Sequence, residues 1–302
     1  MRYVVTGAAG FIGSQLAETL QGAGHDVVGV DCFTDSYDPA EKEANAEALD
    51  DVLRLDLADE PLDLHGVDGV FHLAGQPGVR SFGGVFPLYL RRNVLATQQV
   101  LEACTRAGVR VVLASSSSVY GDAEAYPTPE EATPNPISPY GITKLACEHL
   151  LRAYGGDGVV LRYFTVYGPR QRPDMSIHRL CECAVRGTTF PRYGDGTQVR
   201  EFTYVDDVVR ANLLAATADV AAGVEVNVAG GSEIALRDLI VLVGELAGRP
   251  IAVDDQPAQP GDARRNGGAI DRARDVLGWS PRVPLRDGIA AQLAWHRDRS
   301  GA

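Results

Sequence analysis

The chain has 302 residues, of which 45% are hydrophobic and 23% charged, and its formal net charge is −12. This composition is sufficient for a large packed core and excludes a disordered chain. Because the sequence contains no Lys/Arg-rich run, it argues against nucleic acids and anionic membranes as partners.

The amino terminus, MRYVVTGAAGFIG, lacks the long apolar core and the cleavage pattern of a secretory signal. No stretch approaches the roughly 18 apolar residues of a membrane span, so we expect a cytoplasmic protein. The five cysteines include no CxxC motif. The CEC stretch at 181–183 lacks partner ligands at zinc spacing, so we expect it to serve packing and expect no metal site. In a cytoplasmic protein the thiols should be reduced.

Short β-branched runs alternate with helical patterns through the first half of the chain. RYVVTG precedes a helical GFIGSQLAETLQGAG, and DVVGVD, VDGVFHLAG, VRVVLASSS and GVVLRYFTVYG (158–168) mark further strands. These apolar runs do not alternate with polar residues, which is typical of parallel strands buried on both faces. The sequence therefore predicts an α/β fold with a doubly wound parallel sheet, a Rossmann fold.

The second half is less regular. FTYVDDVVRANLLAATA (202–218) predicts a helix that returns to the sheet, GVEVNVAG predicts a last short strand, and helices follow around LRDLIVLVGELAG and LRDGIAAQLAWH. We predict a dinucleotide-binding domain of residues 1–165 plus about 203–230. A smaller, interleaved substrate lobe would comprise about 166–202 and 231–302.

Three glycines, Gly7, Gly10 and Gly13, lie between the first predicted strand and the first predicted helix. Such a turn lets the backbone approach a pyrophosphate. Asp31 ends the next strand, 18 residues after Gly13 (31 − 13 = 18), close to the spacing of a carboxylate that binds an adenosine ribose. A carboxylate there repels a 2′-phosphate, so the pattern predicts NAD as cofactor. The alternative is that Asp31 is a simple turn residue.

The stretch SPYGITKLACE places Tyr140 and Lys144 four positions apart, on one face of a predicted helix. A neighbouring ammonium favours the ionised form of a phenol, so this pair can supply a general base. From these residues alone, the alternative is a tyrosine and a lysine that only pack on a helix surface.

These stretches resemble the extended short-chain dehydrogenase/reductases of the nucleotide-sugar epimerase and dehydratase family, most closely the UDP-glucuronate 4-epimerases. The matching stretches are TGAAGFIG, HLAG (72–75), SSSSVYG, YGITK (140–144), RYFTVYGP (162–169), REFTYVDD and QPGD. The resemblance implies a catalytic triad of Ser116, Tyr140 and Lys144, and a second lobe that binds a nucleotide sugar. The cofactor-binding residues that we expect are Gly7, Gly10, Phe11, Ile12, Gly13, Asp31, Asp56, Leu57, Leu73, Ala74, Gly75, Asn93, Tyr140 and Lys144.

Asn93, in RRNVLAT, matches the helix start of this family. We expect its side chain to order the loop beside the cofactor, or else to cap the helix. The resemblance also implies a homodimer, in which helices near 92–107 and 139–154 pair across a two-fold axis.

The reaction implied is C4 epimerisation of a UDP-sugar through a 4-keto intermediate. Ser118 stands where the dehydratases and decarboxylases of this family carry an acidic residue, and a serine is a poor proton donor or acceptor at neutral pH. DCFTDSYDP (31–39) and TVYGPRQRPDM (165–175) resemble UDP-glucuronate 4-epimerases, which favours conversion of UDP-glucuronate to UDP-galacturonate. The alternatives are a UDP-glucose or UDP-N-acetylglucosamine 4-epimerase, a UDP-glucuronate decarboxylase, and a non-catalytic NAD-binding protein.

Thr165 and Arg172 are the expected ligands of the sugar carboxylate, because an arginine offers a charge-assisted fork, and Arg80 is a second candidate. For the nucleotide diphosphate, the resemblance nominates Arg200 and Arg264, with Asp262 near the ribose. The full set of expected substrate-binding residues is Arg80, Ser117, Ser118, Thr165, Arg172, Arg200, Asp262 and Arg264.

Overall fold

The computed structural model describes residues 1–78, 83–257 and 264–301. The strands in these ranges are β1 (Arg2–Thr6), β2 (Asp26–Asp31), β3 (Val52–Arg54), β4 (Gly69–His72), β5 (Arg110–Ser116), β6 (Gly158–Tyr163), β7 (Val166–Tyr167), β8 (Phe190–Tyr193), β9 (Val199–Glu201), β10 (Thr203–Tyr204), β11 (Val224–Val228), β12 (Glu233–Ala235) and β13 (Val253–Gln256). The α-helices are α1 (Phe11–Gly22), α2 (Pro39–Ala46), α3 (Phe86–Tyr89), α4 (Ala96–Ala107), α5 (Pro139–Tyr154), α6 (Ser176–Arg186), α7 (Val205–Thr217), α8 (Leu236–Ala247), α9 (Asp271–Leu277) and α10 (Leu285–Ser300).

The central layer is a parallel sheet with the strand order β11-β6-β5-β4-β1-β2-β3 among the described residues. Successive residues of a strand point to opposite faces, so Val4 and Val5 enter different hydrophobic clusters and both are buried. Helices α1 and α7 contribute to the cluster on one face, and α4 and α5 to the cluster on the other. This arrangement confirms the predicted doubly wound sheet.

The strand order reverses at β1, which has β2 on one side and β4 on the other. In sheets of this kind, ligands bind in the crevice at the carboxyl ends of the strands near the reversal. The fold therefore predicts a ligand site formed by the loops after β1, β2, β4 and β5.

The predicted single strand over 158–168 is wrong, because the structure divides it into β6 and β7. The Phe164 N–H donates to the carbonyl of Val228, while the Thr165 carbonyl accepts from the N–H of Thr203. The chain thus exchanges one strand partner for another between these two residues, and β7 pairs with β10. Two further small sheets pair β9 with β12 and β8 with β13.

Helix α5 has sequence signals at both of its ends. The Ser138 hydroxyl accepts a hydrogen bond from the Gly141 N–H (3.1 Å), and Pro139 occupies the first helical position. Gly155 ends the helix in the left-handed conformation, with φ 64°. These signals place Tyr140 in the first turn, beside the loop that follows β5.

The predicted helix start at Asn93 is wrong. The chain is already helical from Phe86, and Asn93 lies within a π-helix, Leu90–Leu95, that joins α3 to α4. The wider turn is a form often found at functional sites. The described residues contain no helix with the length and apolar character needed to cross a membrane. The division into two interleaved lobes remains a prediction.

Candidate active site

Two cavities lie at the carboxyl ends of the strands and share part of their lining. The smaller is lined by the loops after β1, β2 and β4, and the larger by the serines after β5 together with residues 165–200. Side chains that face both cavities lie where the two adjoin. These shared residues are Phe11, Ile12, Pro77, Ser115, Tyr140, Tyr163 and Arg172.

The glycine loop forms one wall of the smaller cavity. Gly7 has φ 71°, and its N–H donates to the Val30 carbonyl at 2.7 Å. A Cβ on Gly7 would lie 2.9 Å from the backbone nitrogen of Ala74, and a Cβ on Gly13 would lie 2.1 Å from the Gly7 carbonyl oxygen. Side chains are therefore excluded where the loop, α1 and the loop after β4 meet. The loop ends at the amino terminus of α1, which favours an anionic group.

The smaller cavity is also lined by two carboxylates, Asp31 and Asp56. Asp31 is 8% exposed and accepts hydrogen bonds from the N–H groups of Ala9 (3.2 Å) and Phe33 (2.8 Å). Asp56 lines the same cavity next to Leu57, and Arg91 donates to its side chain at 3.0 Å. A glycine cradle for a pyrophosphate and a fixed carboxylate at the end of β2 together fit NAD.

The three predicted catalytic side chains lie around the boundary of the two cavities. Tyr140 lines both, Lys144 lines the smaller, and Ser116 lines the larger. The Lys144 ammonium is buried, donates to the carbonyl of Ala114 at 2.9 Å and lies 5.9 Å from the Tyr140 ring centroid. The Ser116 hydroxyl donates to Oγ of Ser118 (3.1 Å) and accepts from the Ser118 N–H (3.1 Å).

Asn93 fixes the backbone of the loop after β4. Its side chain is 1% exposed, accepts from the Gln76 N–H (2.6 Å), and donates to the Gln76 carbonyl (3.2 Å) and to the Thr143 hydroxyl (3.0 Å). It therefore connects α5 to the loop that carries Leu73, Ala74 and Gly75, which line the smaller cavity.

Most of the expected substrate residues line the larger cavity. Arg172 faces both cavities and forms a two-point ion pair with Asp174. Arg264 is exposed and does not belong to the lining that the structure describes, so it contributes to neither cavity in this conformation. Arg80 and Asp262 lie outside the described residues. The expected residues that line the larger cavity are Ser117, Ser118, Thr165, Arg172 and Arg200.

Lys42 is a cavity residue that the sequence analysis missed. It lines the smaller cavity, is 6% exposed, and donates to the Thr34 hydroxyl at 2.7 Å. Burial lowers the pKa of its ammonium. The segment PAEKEANA reads as a polar surface helix. The sequence signal for a buried face of this helix was Asn45, three residues after Lys42 on the same face. The Asn45 amide donates to the Ala9 carbonyl in the glycine loop.

The sequence analysis also missed a buried ion pair beneath α5. Glu148 (0% exposed) and Arg162 (2% exposed) form a two-point contact, with Nε–Oε1 at 3.0 Å and Nη2–Oε2 at 2.7 Å. The Ser115 hydroxyl donates to the same carboxylate. Glu148 is four residues after Lys144, so the pair fixes α5 to β5 and β6 on the face that carries the lysine. A carboxylate one turn after the lysine, at i+4 on the same helix face, was the signal for this pair.

Comparisons with known proteins agree with this geometry. A family model, described as the NAD dependent epimerase/dehydratase family, matches residues 3–229. The UDP-glucose 4-epimerase of Mycolicibacterium smegmatis is 38% identical, covering 99% of this chain and 100% of that protein. The UDP-glucuronate 4-epimerase of Thermodesulfobacterium geofontis is 32% identical, covering 98% of this chain and 96% of that protein.

The similarity extends to three dimensions. The crystal structure of UDP-glucuronic acid 4-epimerase from Bacillus cereus, in complex with UDP-glucuronic acid and NAD, superposes with a TM-score of 0.95 at 37% identity. The match covers 99% of this chain and all of that one. The expected enzyme class and the expected cofactor, NAD, are confirmed. The chain belongs to the NAD dependent epimerase/dehydratase family.

Proposed function

We propose that this protein is an NAD-dependent 4-epimerase that interconverts UDP-glucuronate and UDP-galacturonate. One observation carries the proposal: Tyr140 and Arg172 both lie at the boundary of the two cavities. A sugar that extends from the larger cavity to this boundary can meet a base and a carboxylate ligand together, next to the cofactor.

The proposed reaction begins with oxidation of the sugar at C4. When bound, NAD accepts a hydride from C4 and later returns it. Ser116 hydrogen-bonds the 4-hydroxyl, and the Tyr140 phenolate takes its proton as general base. The ammonium of Lys144 stabilises the phenolate. The 4-keto sugar rotates in the larger cavity and receives the hydride on its other face. The oxygen at C4 then recovers the proton from Tyr140, so atoms and charge balance.

The substrate carboxylate needs control, because a 4-keto uronate is a β-keto acid that loses CO₂ when the carboxylate bond aligns with the carbonyl π system. We propose that Thr165 and Arg172 hold this carboxylate out of that alignment. The Thr165 hydroxyl accepts from Nδ2 of Asn266 at 3.3 Å, which leaves its own proton available to donate to a ligand. Ser118 offers no acid for a competing elimination.

A UDP-glucose 4-epimerase is the second candidate, because the relative from Mycolicibacterium smegmatis carries that name. A hydroxymethyl group would then replace the carboxylate, and Arg172 would remain paired with Asp174.

Product identification tests the proposal. The purified protein, with NAD, is incubated separately with UDP-glucuronate, UDP-glucose and UDP-N-acetylglucosamine, and each mixture is followed by proton NMR of the sugar. We expect UDP-galacturonate from the first at a kcat/KM that exceeds those for the other two. Preferred turnover of UDP-glucose would support the second candidate. A UDP-pentose would indicate a decarboxylase, and no turnover of any of the three would support a non-catalytic protein.

We further propose a cytoplasmic homodimer formed through the surface of α5 and the π-helix. Leu90, Leu95 and Ile142 are large apolar residues on this surface, and they are 44%, 39% and 49% exposed. Exposed apolar residues on two helical segments that contact each other support this interface.

A further inference from the structure

Arg172 and Asp174, two residues apart between β7 and α6, form an ion pair with defined geometry. Nε of Arg172 donates to Oδ1 of Asp174, and Nη2 donates to Oδ2, both at 3.0 Å. These contacts use the edge of the planar guanidinium that carries Nε and one hydrogen of Nη2. Among the described residues, Nη1 has no hydrogen-bond partner. The terminal edge of the guanidinium, formed by Nη1 and the second hydrogen of Nη2, can therefore donate to a ligand.

The pair lies at the substrate cavity. The Arg172 side chain is 23% exposed and faces both cavities, whereas Asp174 is 61% exposed and lines the larger one. An isolated arginine in this position would have many rotamers, and fixing one of them on ligand binding would cost conformational entropy. The Asp174 carboxylate restricts those rotamers before a ligand arrives.

The backbone before the pair is anchored independently of Asp174. The Gln171 side chain is 2% exposed, donates to the Val166 carbonyl (3.0 Å), and accepts from the Gln292 amide (2.8 Å) and the His178 N–H (2.9 Å). Loss of the Asp174 charge should therefore change the direction of the Arg172 side chain and leave the loop in place.

We propose that Asp174 is a positioning residue that holds the Arg172 guanidinium from one side, so that the other side receives the carboxylate of a uronate. This inference rests on the proposed function, because it assumes that Arg172 binds the sugar carboxylate. It assigns Asp174, together with Arg172, a part in the selection of the substrate. Through Arg172, Asp174 favours the uronate over the neutral hexose.

The test is a comparison of dissociation constants in a Tyr140→Phe background, where the bound sugar is not converted during the titration. Calorimetry with NAD present gives the Kd of UDP-glucuronate and of UDP-glucose for the parent and for Asp174→Asn. We expect the Kd of UDP-glucuronate to rise about tenfold, the size of one charge-assisted hydrogen bond, while that of UDP-glucose changes less than about twofold. A substitution that only disturbed the loop would weaken both sugars equally.

Asp271→Asn is the control, because it removes the aspartate of a second arginine–aspartate pair, the exposed pair with Arg274 on α9. It should leave both constants unchanged. An unchanged or lower Kd of UDP-glucuronate in Asp174→Asn would overturn the positioning role, as would equal losses for the two sugars.

Arg172→Ala in the same background separates the two ways in which the inference can fail. If Arg172→Ala weakens UDP-glucuronate binding and Asp174→Asn does not, the substrate assignment stands and the role of Asp174 falls. If Arg172→Ala has no effect either, the uronate anchor is wrong, and both the proposed function and the inference fall.

Discussion

At the residue scale, the proposed chemistry depends on a phenol and an ammonium on one helix face. Lys144 is buried and held by the Ala114 carbonyl, so its ammonium is fixed near the Tyr140 ring rather than free in solvent. A fixed cation stabilises a phenolate without the reorganisation that water would require. The position of the ammonium thus depends on α5 packing against β5.

Tyr140→Phe should reduce turnover by about 10²- to 10⁴-fold, the usual contribution of a general base, and leave NAD bound. Single-turnover assays and the NAD content of the purified protein measure both effects. Tyr154→Phe is the control, since it removes a phenol hydroxyl from the same helix. That hydroxyl contacts Gln98 and Glu102. Normal turnover in Tyr140→Phe would exclude Tyr140 as the base.

Arg172→Ala should lower kcat/KM for UDP-glucuronate by about 10- to 100-fold, because a hydrogen bond to a charged group contributes about 1.5–3 kcal/mol. UDP-glucose lacks the carboxylate and should lose much less. Steady-state kinetics with both sugars measure the ratio. Equal losses would contradict the assigned role of Arg172.

At the scale of the elements, local signals in the sequence define most of the site. The glycine loop, the capped start of α5 and the i,i+4 pair each depend on residues close in the chain, so spacing alone indicates them. Lys42 and the Glu148–Arg162 pair depend on contacts between distant segments, and no local spacing predicts which segments meet. The sequence also did not indicate the π-helix at Asn93. The Asn93 side chain hydrogen-bonds to Gln76 and Thr143, which are distant in the chain.

The exposed apolar surface of α5 and the π-helix leads to a prediction about assembly. Sedimentation velocity should show a dimer for the wild type and a monomer for Ile142→Glu, because a buried unpaired charge is costly at an interface. Val241→Glu is the matched control, since Val241 is 60% exposed on α8 and should not affect the dimer. A monomeric wild type at micromolar concentration would contradict this interface.

At the scale of the whole molecule, the negative charge of the chain contrasts with its ligand cavity. The net charge is −12, yet Arg172, Arg179 and Arg200 line the larger cavity. A cluster of cations in a cleft concentrates the local field where an anionic nucleotide sugar would bind. The overall charge therefore describes the outer surface better than it describes the site.

Stability should depend on pH through a buried histidine. Burial, the neighbouring His178 ring and nearby arginines lower the pKa of His296 from 6.5 to about 3. The unfolded chain therefore binds a proton that the folded chain does not. The stability that neutral His296 contributes is fully present above pH 6.5 and is lost as the pH falls below it, by up to about 1.4 kcal/mol per pH unit.

Urea unfolding of the wild type and His296→Phe at pH 7.5, 6.5 and 5.5 measures this loss. The phenylalanine keeps an aromatic ring against His178 and Trp295, and the Nε2 that it removes has no hydrogen-bond partner in the described part of the chain. We expect the variant to lose about 1 kcal/mol less than the wild type between pH 6.5 and 5.5. Parallel pH profiles would exclude His296 as the source.

The most direct test of the mechanism is epimerisation of UDP-glucuronate in D₂O, followed by proton NMR of the sugar. If the hydride removed from C4 is the one returned, UDP-galacturonate will form with protium at C4 and no deuterium at C5. Deuterium at C4 or C5 would require proton exchange at carbon and would contradict a reaction in which Tyr140 handles only the hydroxyl proton.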